Sequence, residues 1–537
     1  MLPADRTGRQ GALARGVFHI ELSWRYLVKH LFRVGAAITA FVSIDSIANQ
    51  KSVHAAPWVT AYYPTWTLTS PTPSNIDMRA ITHLVFFALT PTTTGTLTDT
   101  GGTVAANAAA VRTAAHNAGK KVLICIGGGG TEPQFVGAIS AANRATFVAN
   151  IVNWVQTNGY DGVDIDMEPM ASADGPNYQA FIQALRTALN NANSNLLLTA
   201  AVEPSGFPSI FAPIQSSFNQ INVMSYDLSG NWAGWCSWHN SPLTNGGNFM
   251  PSTGNPMPSC TSAIQSYISA GIPASKLAIG TAFYGDRWTN VTGPMQALSG
   301  SVTVTAVSYA DIMTNYYSAA AYRWDAASGA AYLTLPAQPS FISYDDPTLC
   351  AAKVNYAVNN GLGGLVCWNI GQQYIPSQPA GQQQPLLAAI YSALHPTVTT
   401  DTLSNLTGVS SRSANWTLDG SNPTYFKGDT SRATRTVDDT EYLVYSYPNI
   451  TTSTAKVYAW NGPIGNVSFL VSTDNGATYT AVGVTTGSKT ITTSPWGYYN
   501  ITNAAPLPPG VTNLKVQFSA TGQTWDPQLS QISITHR

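Results

Sequence analysis

Short apolar runs, separated by amphipathic stretches, set the rhythm of this chain from about residue 57 to residue 370. The runs are 58–63 (WVTAYY), 82–88 (THLVFFA), 121–126 (KVLICI), 162–167 (GVDIDM), 196–202 (LLLTAAV), 221–225 (INVMS), 277–283 (LAIGTAF) and 364–368 (GLVCW). Most are nearly continuous in apolar residues, which fits strands buried on both faces. Between them lie helical patterns, among them 107–118 (NAAAVRTAAHNA), 142–157 (ANRATFVANIVNWVQT) and 177–190 (NYQAFIQALRTALN). Strand–helix alternation repeated through eight apolar runs predicts an α/β fold, a closed (β/α)8 TIM barrel.

Two connections are long. The segment after Tyr226-Asp227, up to Cys260, carries Trp232, Trp235 and Trp238. The segment 287–341 contains SVTVTAVSYADI and AAYRWDAASGAAYLTL and predicts a small α+β insertion before strand 8. Beyond 395 the helical pattern stops. Residues 396–413 are Thr/Ser-rich and read as a linker, and from 414 to 537 alternation takes over. Val467, Phe469 and Val471 share one strand face, as do Leu514, Val516 and Phe518, and Ile532 with Ile534. Asp474-Asn475-Gly476 is a hairpin turn signal. This second domain is expected to be an all-β sandwich.

Composition narrows the class. The chain has 537 residues, 25 Lys+Arg and 26 Asp+Glu, so it lacks the basic surplus of a general nucleic-acid binder. Charged residues make up 9% and hydrophobic ones 44%, leaving ample apolar surface for packed cores. A mean hydropathy of -0.01 excludes a polytopic membrane protein. Residues 24–33 (WRYLVKHLFR) followed by the apolar run 34–44 (VGAAITAFVSI) have the form of a signal peptide, with small residues at 53–56 (VHAA) for cleavage. Residues 1–56 are therefore read as a leader, and the mature protein as secreted, free of the membrane and monomeric.

The five cysteines are Cys125, Cys236, Cys260, Cys350 and Cys367. None has the close spacing of a zinc site. Cys236 and Cys260 flank one Gly/Pro/Asn-rich loop and are candidates for a loop-closing disulfide in an exported protein. Cys125 and Cys367 lie in apolar runs and read as buried thiols.

The chemistry is concentrated in Asp161-Gly162-Val163-Asp164-Ile165-Asp166-Met167-Glu168. With a side-chain period of two, Asp164, Asp166 and Glu168 point into the barrel, while Val163, Ile165 and Met167 point toward the helices. Four acids at set positions arise by chance in roughly three such chains per thousand. Carboxylates this close in a low-dielectric interior repel, so at least one should hold its proton well above the ordinary range. A catalyst that needs a neutral acid gains from that cost and a structural motif does not. Glu168 is nearest the C-terminal mouth, where barrel enzymes act, and is the candidate general acid. A metal site would want histidines nearby, and the eight histidines show no such cluster. Neither a metal nor a cofactor is expected.

DGVDIDME resembles the D-G-x-D-x-D-x-E signature of family 18 glycoside hydrolases, the chitinases and their relatives. The resemblance covers residues 57–395. AYYPTW (61–66) is similar to the family's first strand, CIGG (125–128) to its S-x-G-G motif, and MSYD (224–227) to its M-x-Y-D motif. LAIGTAFYG (277–285) is similar to strand seven, and FISYDDP (341–347) with GLGGLVCWN (361–369) to the stretch ending in strand eight. Cys125 replaces the family serine and is a weaker donor. Met167 stands where many relatives carry tryptophan.

The resemblance implies a retaining hydrolysis of β-1,4-linked N-acetylglucosamine in chitin, in which the substrate's acetamido oxygen is the nucleophile. Glu168 would protonate the leaving oxygen and then activate water. Asp166 would bind the acetamide N–H and stabilise the oxazolinium. Asp164 would share a proton with Asp166, and Tyr226 would hydrogen-bond the acetamide. Asp227 would bind sugar hydroxyls, Trp368 would floor the pocket, Tyr62 would line it, and Trp66 would serve a more distant subsite. Trp232 is a further substrate-binding candidate. Asp161, at the other parity, is structural.

Outside this set, Glu203 reads as an ordinary loop ion pair more readily than as a substrate ligand. Trp416, Trp460, Trp496, Tyr498, Tyr499 and Trp525 make the C-terminal domain a candidate carbohydrate-binding module. Three rival readings stay open: an endo-β-N-acetylglucosaminidase acting on N-glycans, a non-catalytic chitin-binding lectin, and a metal-dependent hydrolase.

Overall fold

The computed structural model describes residues 57–460, 464–505, 507–508 and 510–537. The expected leader and signal peptide lie outside the described residues. Eight parallel strands form a closed ring: Trp58–Pro64, His83–Pro91, Lys121–Gly128, Gly162–Met167, Leu197–Val202, Gln220–Val223, Leu277–Ala282 and Gly364–Trp368. The first strand pairs in parallel with both the second and the eighth, which closes the barrel. This is the (β/α)8 architecture that the apolar runs predict.

The helices follow from local pattern. Gly175–Ala192 starts with a proline in its first turn and buries Tyr178, Phe181, Ile182, Leu185 and Leu189. That spacing puts one apolar face against the barrel. Val163, Ile165 and Met167 join this outer core, whereas Tyr62, Leu123, Cys125 and Val366 pack inside the ring. Among the described residues no helix is long and apolar enough to cross a membrane.

The insertion before the eighth strand is a five-stranded antiparallel sheet, built from Tyr284–Thr289, Val304–Ser308, Tyr322–Asp325, Ala330–Leu335 and Ser340–Tyr344. It has a small core of Trp288, Val291, Val302 and Phe341. Asp345, which follows the sheet, accepts the backbone N–H of Ala282 at 3.0 Å and pairs with fully buried Lys353 at 2.6 Å. The insertion's two ends are thereby tied together at the barrel mouth.

The C-terminal region is all-β. One sheet runs Trp416–Asp419, Arg432–Arg435, Gln528–His536, Thr452–Ala459, Gly497–Asn503, Val484–Thr486. The other runs Ser411–Arg412, Glu441–Ser446, Asn513–Phe518, Val467–Ser472, Thr480–Val482. Leu443, Val457, Phe469, Ile501, Val516 and Ile532 meet in the core between them. Asp474-Asn475-Gly476 turns one hairpin with Asn475 and Gly476 at positive φ. The stretch read as a linker is in part sheet. Thr397–Asp401 pairs antiparallel with Gln528–His536, and Ser411–Arg412 pairs with Glu441–Ser446. Threonine suits a half-exposed strand as well as a linker, so composition misleads there.

Candidate active site

The fourth strand places its acids as parity requires. Asp164 is fully buried and Asp166 is 2% exposed, while Glu168, one step past the strand end, is half-buried at the mouth. Asp164 is held from both sides. Tyr62 on the first strand donates to Oδ2 at 2.6 Å, and Thr199 on the fifth donates to Oδ1 at 2.5 Å. Thr199 stands directly across from Asp164 in the parallel ladder, as Cys125 does on the other flank. The weak thiol donor is therefore supplemented by two hydroxyls. Burial raises the Asp164 carboxyl, and the Thr199 and Tyr62 bonds oppose that rise.

Asp166 stands next to Glu168 in the row, close enough for each carboxyl to act on the other. Its Oδ1 is buried without a partner. Two carboxyls this close in a buried row compete for protons. Burial first, then the charges of Glu168 and Asp164, push Asp166 well above the usual carboxylate range. Burial also raises Glu168, the Asp166 bond opposes this, and the charges of Glu203 and Asp227 add to it. Asp166 is therefore an acid that burial and crowding favour in its protonated form. Asp164 spends its bonds on Tyr62 and Thr199 rather than on Asp166.

The Gly127-Gly128 pair is explained by close approach. A Cβ on Gly127 would stand 1.9 Å from the Asp166 carbonyl oxygen, and one on Gly128 would stand 2.5 Å from the Phe87 ring. Both have positive φ. Only glycine lets the third strand lie this close to the acid row.

Aromatic side chains line the mouth. Trp368 ends the eighth strand, with ring centroids 5.5 Å from Tyr62, 4.9 Å from Phe87 and 6.4 Å from Trp66. Trp66 is 64% exposed and packs its edge against Trp368. Tyr226 packs with Tyr284, Ala282, Met224 and Trp368, and the charge of Glu168 acts on its hydroxyl. Asp227 is exposed at the mouth and accepts a 2.5 Å hydrogen bond from Tyr284. Glu203 is half-buried and has no ion pair among the described residues, in contrast to the loop salt bridge expected of it. Asp161 lies outside the row and pairs with Lys121 and His116, each at 2.8 Å.

The loop tryptophans separate. Trp238 is fully buried and donates to the Pro258 carbonyl, so it is core. Trp232 is 49% exposed and packs on Trp235 at 4.6 Å, apart from the Tyr62–Trp66–Trp368 group. The expected Cys236–Cys260 disulfide is not formed. Both thiols are free and buried, Cys236 against Met295 and Cys260 donating to the Ser225 carbonyl at 3.1 Å. Sequence reading missed Thr199, Phe87 and Tyr284 as site residues. The one trace of Thr199 is a polar residue at the inward parity of an apolar strand.

Residues 59–373 match the family described as Glycosyl hydrolases family 18. Chitinase 1 of Aphanocladium album is 28% identical over 269 residues, which cover 47% of this chain and 62% of that protein. The chain thus spans less than two thirds of that relative's length. The solved Group IV chitinase of Ostrinia furnacalis has the same fold, with a TM-score of 0.55 at 23% identity over 63% of this chain and 99% of the other. A chitinase-like agglutinin of Robinia pseudoacacia is also similar, with a TM-score of 0.52 at 26% identity over 62% and 99%. With more than half of its length matched and the acid row in place, the chain belongs to the glycosyl hydrolases of family 18.

Proposed function

We propose that this protein is a chitinase that cleaves β-1,4-N-acetylglucosamine linkages with retention, the substrate's own acetamido oxygen acting as nucleophile. The observation that carries this reading is the acid row itself, with Asp164 and Asp166 buried inside the ring and Glu168 at its C-terminal mouth. Retaining hydrolysis through an enzyme nucleophile needs two carboxylates on opposite sides of the bond. Here Asp166 and Glu168 stand two residues apart in one row. In the reaction, Glu168 gives its proton to the leaving oxygen and then takes one from water. Asp166 accepts the acetamide N–H and stabilises the cation. Asp164 stays anionic under its hydroxyl donors and keeps Asp166 poised to move. The Tyr226 hydroxyl fixes the acetamide, and Trp368 supplies a flat apolar floor for the sugar face.

The lectin reading has support in the agglutinin's similarity, but Glu168 is present here at the end of the acid row. The deciding experiment is NMR of the products first released from the N-acetylglucosamine hexamer. The β-anomer is expected. Release of the α-anomer, or no release at all, overturns the reading.

We also read the sandwich as a carbohydrate-binding module, and the leader as an export signal. Trp416 and Tyr499 belong to the sandwich core. Trp460, Trp496 and Trp525 contact one another with centroids 5.5–6.0 Å apart, and Trp525 is 42% exposed. Rigid aromatic area of this kind suits pyranose faces. Tethering the barrel to an insoluble polymer raises its local concentration there. Trp525→Ala should reduce sedimentation with chitin, and unchanged sedimentation counts against the module.

A further inference from the structure

The first strand of the insertion, Tyr284–Thr289, leaves the barrel directly after the seventh barrel strand. Tyr284, Asp286 and Trp288 alternate on one face of it. Trp288 fills the insertion core, and the Tyr284 hydroxyl reaches Asp227. Asp286 lies between them and is 6% exposed. Among the described residues its carboxyl has no hydrogen-bond donor and no cation, and the charge acting on it is that of Asp227. Neighbouring Arg287 is at the opposite parity and lies over the Tyr316 ring at 5.2 Å. A second unpartnered group stands nearby. Asn240 is fully buried, its Oδ1 accepts the Asp227 N–H at 2.8 Å, and its Nδ2 has no partner.

A carboxyl this little exposed, with no protein donor and a second acid acting on it, is a ready acceptor for a cationic donor from outside. Burial and the charge of Asp227 push the Asp286 carboxyl up to about 7, so its ionised form near neutrality gains from a neighbouring cation. A sugar hydroxyl would satisfy one oxygen but leave two like charges together. An ammonium group brings three donors and the missing positive charge. In a β-1,4-linked amino-sugar chain, a unit that has lost its acetyl group carries that ammonium. It cannot be the sugar whose acetamide attacks, so it must occupy a neighbouring position along the cleft.

We propose that Asp286, together with Asp227, forms a subsite for the ammonium of a de-N-acetylated glucosamine unit next to the sugar being cleaved, which makes partly deacetylated chitin a preferred substrate. This rests on the hydrolase reading above. Two measurements test it. In the first, kcat/KM is compared on the fully acetylated hexamer and on a hexamer carrying free amines. Asp286→Asn should lower the ratio of free-amine to acetylated rates about tenfold, the size of one charge-assisted bond. In the second, the fully deacetylated tetramer is titrated into Glu168→Gln and into Glu168→Gln with Asp286→Asn. The tetramer should bind the first about tenfold more tightly. An unchanged ratio, or equal tetramer affinities for the two folded proteins, overturns the proposal. If the wild type hydrolyses neither hexamer, the hydrolase reading falls, and the tetramer titration still decides whether Asp286 holds an ammonium.

Discussion

Thr199 stands opposite Asp164 on the neighbouring strand and donates its hydroxyl to the buried carboxylate at 2.5 Å. With Tyr62 on the other oxygen, it holds the Asp164 carboxyl in place and opposes the rise that burial imposes on it. Thr199→Val keeps the shape of the side chain and removes the donor. The buried acceptor should then cost roughly 1–3 kcal/mol of stability. Asp164 should also hold a proton more readily and compete with Asp166 for it, so kcat should fall while KM changes little. Denaturation together with chitooligosaccharide kinetics checks both. An unchanged kcat would mean that Tyr62 alone holds Asp164.

Glu168→Gln keeps the volume and half-buried setting of the side chain and removes its acid–base function. General acid–base groups contribute about 10²–10⁴-fold, so turnover should fall at least that far while the melting temperature moves little. Near-normal rates on a chitooligosaccharide would place the proton donor elsewhere.

Much of this site could be read before any coordinates. The acid row was legible because strand parity is strict and because polar residues inside an apolar strand have few explanations. The eight strands were legible because both faces of a barrel strand are buried, so each strand prints as an apolar run. What failed depended on partners distant in the chain. Thr199 meets Asp164 across 35 residues and Tyr284 meets Asp227 across 57, and no local pattern announces either pair. Trp232 and Trp238 look alike in sequence, yet one is half-exposed and the other is core. The Thr-rich segment after the barrel is in part strand, because strand edges and linkers use the same residue.

Asp166→Asn separates the two halves of the mechanism. Asparagine can still hydrogen-bond an acetamide but cannot carry the negative charge that stabilises the cation, so the rate should drop far more than binding. Stability gives an independent check through the sign of linkage. Asp166 is raised in the folded state, so its protonated form stabilises the fold below the unfolded value of about 3.9, and that contribution is lost as pH rises through the folded value. Asparagine has no such term. The stability gap between Asp166→Asn and wild type should therefore shift toward the variant as pH rises above about 4 in chemical denaturation. A gap independent of pH would mean that Asp166 is not raised.

The cysteines offer a last test that needs no substrate. Cys236 packs in a small cluster with Trp238 and Met257, its sulfur 3.8 Å from that of Met295. Cys260 begins a helix and donates to the Ser225 carbonyl, within the outer barrel core. Each thiol therefore has its own packing, and joining them would pull one out of its cluster. A disulfide closing such a loop contributes about 3 kcal/mol, enough to change the melting temperature by a few degrees when reduced. None is expected here. In denaturant without reductant, all five cysteines should titrate as free thiols, and melting should not respond to reductant. A count of three thiols would restore the loop bridge and require the segment after Tyr226 to fold differently around the mouth.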